Sequence, residues 1–399
     1  MHPSQPNIKS TPNIKRSVLN PTPRSLGALL VASLSLVGAA QAQTRTRTEL
    51  PFPDLPGFVT LRCDFHMHSV FSDGNVWPTV RAEEAWRDGL DAIALTDHIE
   101  YAPHKNEIPV NHARPYEIAR AHGEPLGLIV IRAGEITRGE PPGHLNALFL
   151  TNVAALNQTN TIAAVRTAVE QGGFVFWNHP GWKQPDRKSV WYAEQEQFFT
   201  NGWLRGLEIV NGSDYDPIAY QWGLDKQITL LGNSDAHNPV GFDYGAAPGE
   251  LRPMTLVFAK ARTLEAVREA LFARRTAVFS QGRLIGDAQF LEPLFQRSIK
   301  IVNPEIRIRE KGRTVVQIRN QSPMNFEVRF DAKSPELTVT EKVVLVAGKV
   351  SLLEIRAGSG AASGERDVIL NCKVQNALVT PNEVLSTSLR LKVQFDAGR

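Results

Sequence analysis

The chain is poor in cysteine, in long apolar runs and in net charge, and each scarcity removes a class of protein. Two cysteines in 399 residues are too few for a disulfide framework. Neither lies in a C-x-x-C, so thiolate ligation of a metal is not expected. Cys63 stands on an early apolar strand and Cys372 in the far C-terminal region. A bond between them would cross a domain boundary, and two buried free thiols are expected instead. The apolar run Leu26–Gly38 falls short of the roughly 20 residues that a spanning helix needs. It follows Lys9, Lys15, Arg16 and Arg24 and precedes Ala40-Gln41-Ala42, the pattern of an export signal. Residues 1–42 are therefore expected to be a signal peptide without a lipid anchor, with a mature chain starting at Gln43. A periplasmic or secreted location follows, with no membrane anchor.

The overall charge of +3 depends on that leader. Residues 1–42 carry four of the 44 Lys+Arg and none of the 41 Asp+Glu. What remains is 40 basic against 41 acidic residues, a formal net charge of −1. A global basic footprint for a long nucleic acid is absent, which disfavours that class of partner.

From 58 to about 283, after a linker over 43–57, apolar strands alternate with helical patterns. Strands are predicted over 58–63, 92–96, 126–133, 145–150, 174–177, 204–210 and 228–232. Helices are predicted over 79–88, 161–171 and 263–275, the last ending in basic residues that suit a helix C-terminus. Alternation of this kind predicts an α/β fold with a parallel sheet or barrel. One connection departs from it. Only Ile136–Gly143 separates Glu135 from His144, and a parallel crossover needs a dozen or more residues. The fourth strand should therefore run back antiparallel, bringing Glu135 and His144 to one mouth. Beyond 284 the segments are short, rich in Val, Ile and Leu, and separated by Gly, Pro, Asn and Ser. That texture predicts a smaller all-β, sandwich-like domain over 284–399.

The chain has ten histidines, and none lies beyond His237. His66, His68, His98, His144, His179 and His237 fall at or beside a predicted strand end at one mouth. His104, His112 and His122 lie in a polar stretch after the second strand and read as loop residues, His104 being the nearest to a substrate. A single strand-end histidine is usually structural; six at one mouth point to metal chemistry. With Asp73, Glu135 and Asp235 the donors are six imidazoles and three carboxylates, which suit Zn²⁺, Mn²⁺ or Fe²⁺.

The motifs His66-Met67-His68 with Ser72-Asp73-Gly74, Thr96-Asp97-His98, Gly134-Glu135, Gly143-His144, Asn178-His179-Pro180 and Ser234-Asp235-Ala236-His237 occur in this order. The set resembles the PHP (polymerase and histidinol phosphatase) family of metal-dependent phosphoesterases over about 58–283. The resemblance implies a distorted (β/α)7 barrel holding two to three divalent ions. It would place His66, His68, Glu135 and Asp235 on the first metal, Glu135, His144 and His179 on the second, and Asp73, His98 and His237 on the third. It implies a hydroxide bridging two metals, supported by Glu135 and Asp235, that hydrolyses a small phosphate ester. Asp97, His104 and Lys183 are candidates to steady the leaving oxygen, and Arg138, Lys183 and Asn146 to meet phosphate oxygens. The C-terminal β-domain is similar to the extension of some secreted phosphodiesterases of the family. A phosphodiesterase is the expectation; the rivals are a phosphomonoesterase of the histidinol-phosphatase type, a nuclease and a non-catalytic metal-binding module.

Overall fold

The structure, a computed structural model, describes residues 44–244, 250–309, 312–331 and 336–396. The expected signal peptide, 1–42, lies outside the described residues. The expected linker stretch lies against the barrel from Arg45 on. Leu50, Phe52 and Leu55 are buried, and the Arg47 guanidinium donates to the carbonyls of Trp86, Gly89 and Leu90.

Strand β1 (Val59–Asp64) pairs in parallel with β2 (Ala92–Leu95), and β2 with β3 (Ile129–Ile136). Then the direction reverses. β4 (Leu145–Leu148) is antiparallel to both β3 and β5 (Phe174–Trp177), as the short connection requires. β6 (Leu204–Asn211) is parallel to β5, and β7 (Asp214–Tyr215) folds back on its end. β8 (Thr229–Asn233) lies parallel to β6. A parallel bridge between Met67 and Ala236 joins the segments that leave β1 and β8, so the two ends of the series meet at the mouth. The interior is filled by Cys63, Phe65, Ala133, Leu148, Phe176 and Leu231, all buried.

Helices α1 (Pro78–Arg87), α2 (Arg114–Gly123), α3 (Thr161–Glu170), α4 (Ala193–Thr200) and α5 (Pro217–Asp225) lie in the connections. Asn160 and Asp216 cap α3 and α5 through their side chains, as N-cap residues do. α1 departs from expectation in one respect. Its Arg81, in line with the acidic residues of a helix whose pattern alone gives them to solvent, is buried.

After the short helix α6 (Val240–Asp243) come β9 (Met254–Ala259), α7 (Leu264–Phe272), β10 (Thr276–Ser280) and β11 (Arg283–Gly286). β9 runs antiparallel to β1, and β10 to β9. These two strands were not among the seven expected. Both are buried along their whole length, so they lack the alternation that marks a half-exposed strand.

The C-terminal region starts with a helix, α8 (Ala288–Ser298), rather than a strand. Phe290, Leu291, Leu294 and Phe295 give it a buried stripe at helical spacing, and Asp287 caps it. Among the described residues nine strands follow: β12 (Ile299–Ile301), β13 (Glu305–Arg309), β14 (Arg313–Asn320), β15 (Phe326–Phe330), β16 (Leu337–Val339), β17 (Lys342–Leu345), β18 (Val350–Ala357), β19 (Gly364–Thr380) and β20 (Glu383–Asp396). They form one layer in the order β12-β14-β18-β16 and another through β13, β20, β19, β15 and β17. β11 pairs in parallel with β19, so the second layer continues into the barrel sheet across the expected 283/284 boundary. Both cysteines are buried and free. Among the described residues, no helix is long and apolar enough to cross a membrane.

Candidate metal centre

The mouth of the barrel is assembled from chain segments that have just left their strands. β1 ends at Asp64, two residues before the first histidine. Beyond it the backbone is held on both sides. Met67 O accepts from Thr96 N at 2.8 Å, Ala236 O from His68 N at 3.0 Å, and His66 O from Asp235 N at 2.9 Å. Met67 packs into the outer core, while the rings of His66 and His68 stand 5.2 Å apart. Buried Arg81 locks the same place. Its Nε donates to His68 O at 2.8 Å, its Nη2 to Ala236 O at 2.9 Å and its Nη1 to Asn238 O at 2.7 Å.

All nine candidate ligands come together. His66 Nε2 lies 2.9 Å from Glu135 Oε2 and 3.0 Å from Asp235 Oδ1. His68 Nε2 lies 3.0 Å from the same Asp235 oxygen and 3.4 Å from Glu135 Oε2. The other Glu135 oxygen, Oε1, faces His144 Nδ1 at 2.7 Å, and the His144 and His179 rings are 5.1 Å apart. Asp73 reaches His98 Nε2 at 3.4 Å and His237 Nε2 at 3.3 Å. Glu135 thus presents one oxygen to each of two donor groups, as a shared carboxylate must. His68 and His98 face two groups each, since His68 also approaches Asp73 (3.6 Å) and His98 approaches Glu135 (3.3 Å). His179 and Asp235 hold left-handed backbone, φ 30° and 51°, a conformation that costs about 1–3 kcal/mol each.

The electrostatics match a cation site. Burial works against charge on Glu135 and Asp235, yet His98, His66 and His144 around the first, and His66 and His68 around the second, hold both carboxyls well below the usual range. Asp73 is likewise held down, against its burial, by His237 and His98. The matching positive charge falls on imidazoles: burial lowers His98, but Glu135 and Asp73 raise it to about 10, and Asp235, Glu208 and Glu135 raise His66 in the same way. A divalent ion would replace those protons. The lone pairs are also free to receive one. His68 Nε2, Asp73 Oδ1, Glu135 Oε1, His144 Nδ1, His179 Nδ1 and Asp235 Oδ1 are buried without a partner in hydrogen-bond geometry. Buried polar atoms are rarely left so, and the six belong to six of the nine candidates. The residues present fit a cluster of divalent metals.

One residue of the centre escaped the sequence reading. Glu208, buried in the middle of β6, faces His66 Nδ1 at 3.1 Å. It also accepts from Asn233 Nδ2, Asn211 Nδ2 and the His179 amide, each at 2.9 Å. This carboxylate orients the His66 ring so that Nε2 faces the cluster, an arrangement that recurs around metal-bound histidines. Its signal was a charged residue inside an otherwise apolar strand.

Four supporting candidates are placed differently from expectation. Asp97 is not offered to a substrate. Its Oδ1 accepts from Ser69 N (2.8 Å), Ser69 Oγ (3.0 Å) and Ser72 Oγ (2.8 Å), so it braces the turn that carries Asp73. Arg138 is not free for phosphate. Its guanidinium is engaged by Glu100, Thr137 O, Gln158 O and Thr161 Oγ1. His104 belongs to none of the close-packed donor groups and sits in a turn whose bonds run from Glu107 N and Ile108 N to its carbonyl. Asn146 is fully buried, opposite Glu135 in the β3–β4 ladder, with no surface open to a substrate. Lys183 does reach the rim, its Nζ 4.0 Å over the Trp182 ring, and that ring lies 4.9 Å from His144.

The chain is similar to a crystal structure of a two-domain protein from Bacteroides vulgatus containing a predicted PHP-like metal-dependent phosphoesterase. The two are 42% identical, over 87% of this chain and 100% of that one, with a TM-score of 0.81. A structure assigned as a metal-dependent phosphoesterase from Bifidobacterium adolescentis is 18% identical over 53% of this chain and 96% of that one, TM-score 0.37. An amidohydrolase from Chromobacterium violaceum is 17% identical over 55% of this chain and 97% of that one, TM-score 0.33. Residues 299–390 match the DUF5001 family, described as an Ig-like domain. No curated protein matches the chain.

Proposed function

The chain belongs to the PHP-like metal-dependent phosphoesterases, and from that premise we propose that it is a secreted phosphodiesterase acting on a small phosphate ester. The observation that carries the reading is the set of buried, unpartnered donor atoms on His68, Asp73, Glu135, His144, His179 and Asp235 at one barrel mouth. We assign His66, His68, Glu135 and Asp235 to a first cation, Glu135, His144 and His179 to a second, and Asp73, His98 and His237 to a third. Zn²⁺, Mn²⁺ or Fe²⁺ suits these donors, and the barrel is of the distorted (β/α)7 type. Such ions supply a water acidic enough to ionise near neutral pH and positive charge opposite the phosphate oxygens.

The chain's own residues do the positioning. Glu135 and Asp235, kept anionic, hold the donor set together. Glu208 fixes the orientation of His66. Asp97 and Arg81 hold the two segments that bring in Asp73, His68 and the Asp235–His237 turn. Lys183, at the rim, is the cation placed to meet an arriving phosphate. Export rests on the leader pattern in residues 1–42, and sequencing the N-terminus of the periplasmic or culture fraction tests it, with Gln43 expected first.

The assay is hydrolysis of bis(p-nitrophenyl) phosphate and p-nitrophenyl phosphate by chelator-stripped protein with Mn²⁺ or Zn²⁺ added back. Faster turnover of the diester is expected, with most of it lost in His179→Ala. No turnover with any metal contradicts a phosphoesterase, and a faster monoester contradicts the diester preference.

A further inference from the structure

Beside the metal cluster a cleft of about 490 Å³ opens between the loop after β5 and the β6–β7 hairpin. This volume falls in the range of small-molecule sites. Its inner end is formed by His179, Glu208 and Asn211, so it is continuous with the centre: Asn211 Nδ2 lies 3.1 Å from Asp235 Oδ2. Pro180, Trp182, Ile209, Tyr215, Pro217 and Ile218 supply the apolar part of its walls.

Four of the charged residues of the lining already have partners. Arg187 pairs with Asp214. Asp216 accepts from Ser189 Oγ and caps α5 through Ile218 N and Ala219 N. Glu208 is saturated by four donors, as described above. These contacts occupy Arg187, Asp214, Asp216 and Glu208, and the exposed Asp186 and Lys188, one of each sign, favour neither a cationic nor an anionic guest. Two buried polar atoms of the lining have no hydrogen-bond partner: His179 Nδ1, which belongs to the candidate metal centre, and Tyr215 Oη. An unsatisfied buried hydroxyl beside apolar walls suits a ring that carries a single acceptor.

We propose that this cleft binds one organic arm of the phosphate ester, and that the arm is an uncharged aromatic or heteroaromatic ring, enclosed by Trp182, Pro217 and Ile218 and met by Tyr215 Oη. The proposal rests on the phosphoesterase reading, since the phosphate must sit on the cluster for its arm to reach the cleft. Burial of a ring is then felt as affinity, at least about tenfold for a phenyl over a methyl group.

Calorimetric titration of the Mn²⁺-loaded protein with methyl phosphate and phenyl phosphate tests it without turnover. Phenyl phosphate should bind at least tenfold more tightly. Ile218→Trp, a change at a partly exposed position that fills the cleft, should bring the ratio to within about threefold. Tyr215→Phe should leave the phenyl preference but remove any added preference for a ring bearing an acceptor, read with 4-pyridyl phosphate. Equal affinity for the two phosphates, or a ratio unchanged in Ile218→Trp, overturns the subsite while leaving the phosphoesterase reading intact. Binding of neither phosphate overturns that reading and the subsite with it.

Discussion

Asn320 of the C-terminal domain is as deeply buried as Asn146 and Glu135 of the barrel mouth, and Asn376 nearly so, and their surroundings are opposite. Asn320 uses its whole amide, donating to Met324 O and Leu345 O and accepting from Ser322 N and Oγ. Asn376 accepts from Glu327 N and donates to Asn325 O and to Gly282 O, across the junction with the barrel. At the mouth, both polar atoms of the Asn146 amide lack a partner, and Glu135 Oε1 lacks one in hydrogen-bond geometry although His144 Nδ1 stands 2.7 Å away. A buried polar side chain whose bonds are all made holds a fold together. A group of them whose lone pairs converge on one space is prepared for something else. The two regions teach that burial alone does not separate structural from functional polar residues; what marks the candidate ligands is that their unpaired atoms converge on one space.

That contrast can be broken by substitution. The largest effect is expected for Glu135→Gln, which removes the charge shared by two donor groups. Turnover of the chromogenic diester should fall about a thousandfold or more, the rate equivalent of the several kcal/mol that metal ions supply. The fold should persist, as circular dichroism would show. Glu208→Gln should be milder. It keeps the shape but loses the anion facing His66 Nδ1, and metal affinity should fall about 10- to 100-fold, measured by competition with a chelating dye. Asn376→Ala should do the reverse of both. Metal binding and rate stay at the wild-type level, while denaturant unfolding shows a loss of about 1–3 kcal/mol from the groups left unpaired. If Asn376→Ala lowers metal content, the separation of structural from functional polar residues fails.

The same contrast explains what could be read in the sequence. The nine candidate ligands occur in a fixed order of motifs, all but Asp73 at or just beyond a strand end, where a polar donor breaks the apolar pattern of its strand, so the set announces itself. The antiparallel turn of β4 was legible because Ile136–Gly143 is too short for a crossover. Glu208 and Arg81 were not legible. Each lies inside a regular element, where pattern alone gives a charged residue to solvent; only the fold reveals that His66 and the His68 and Ala236 carbonyls are waiting for them. β9 and β10 were missed because a strand buried on both faces has no period to detect. α8 was missed because Pro293 interrupts a helical stripe that follows directly on two strands. Asp97 and Arg138 had the right chemistry and position along the chain, but the Ser69–Ser72 turn and Glu100 claim them first.

The central claim is that the barrel mouth is a site for more than one divalent cation. Titration calorimetry of chelator-stripped protein with Mn²⁺, run on the wild type and on Asp73→Asn, addresses it most directly. The account predicts two to three equivalents bound per wild-type chain, and one fewer in Asp73→Asn with the tightest site kept. Binding of less than one equivalent by the wild type, or loss of all sites together in Asp73→Asn, would contradict it.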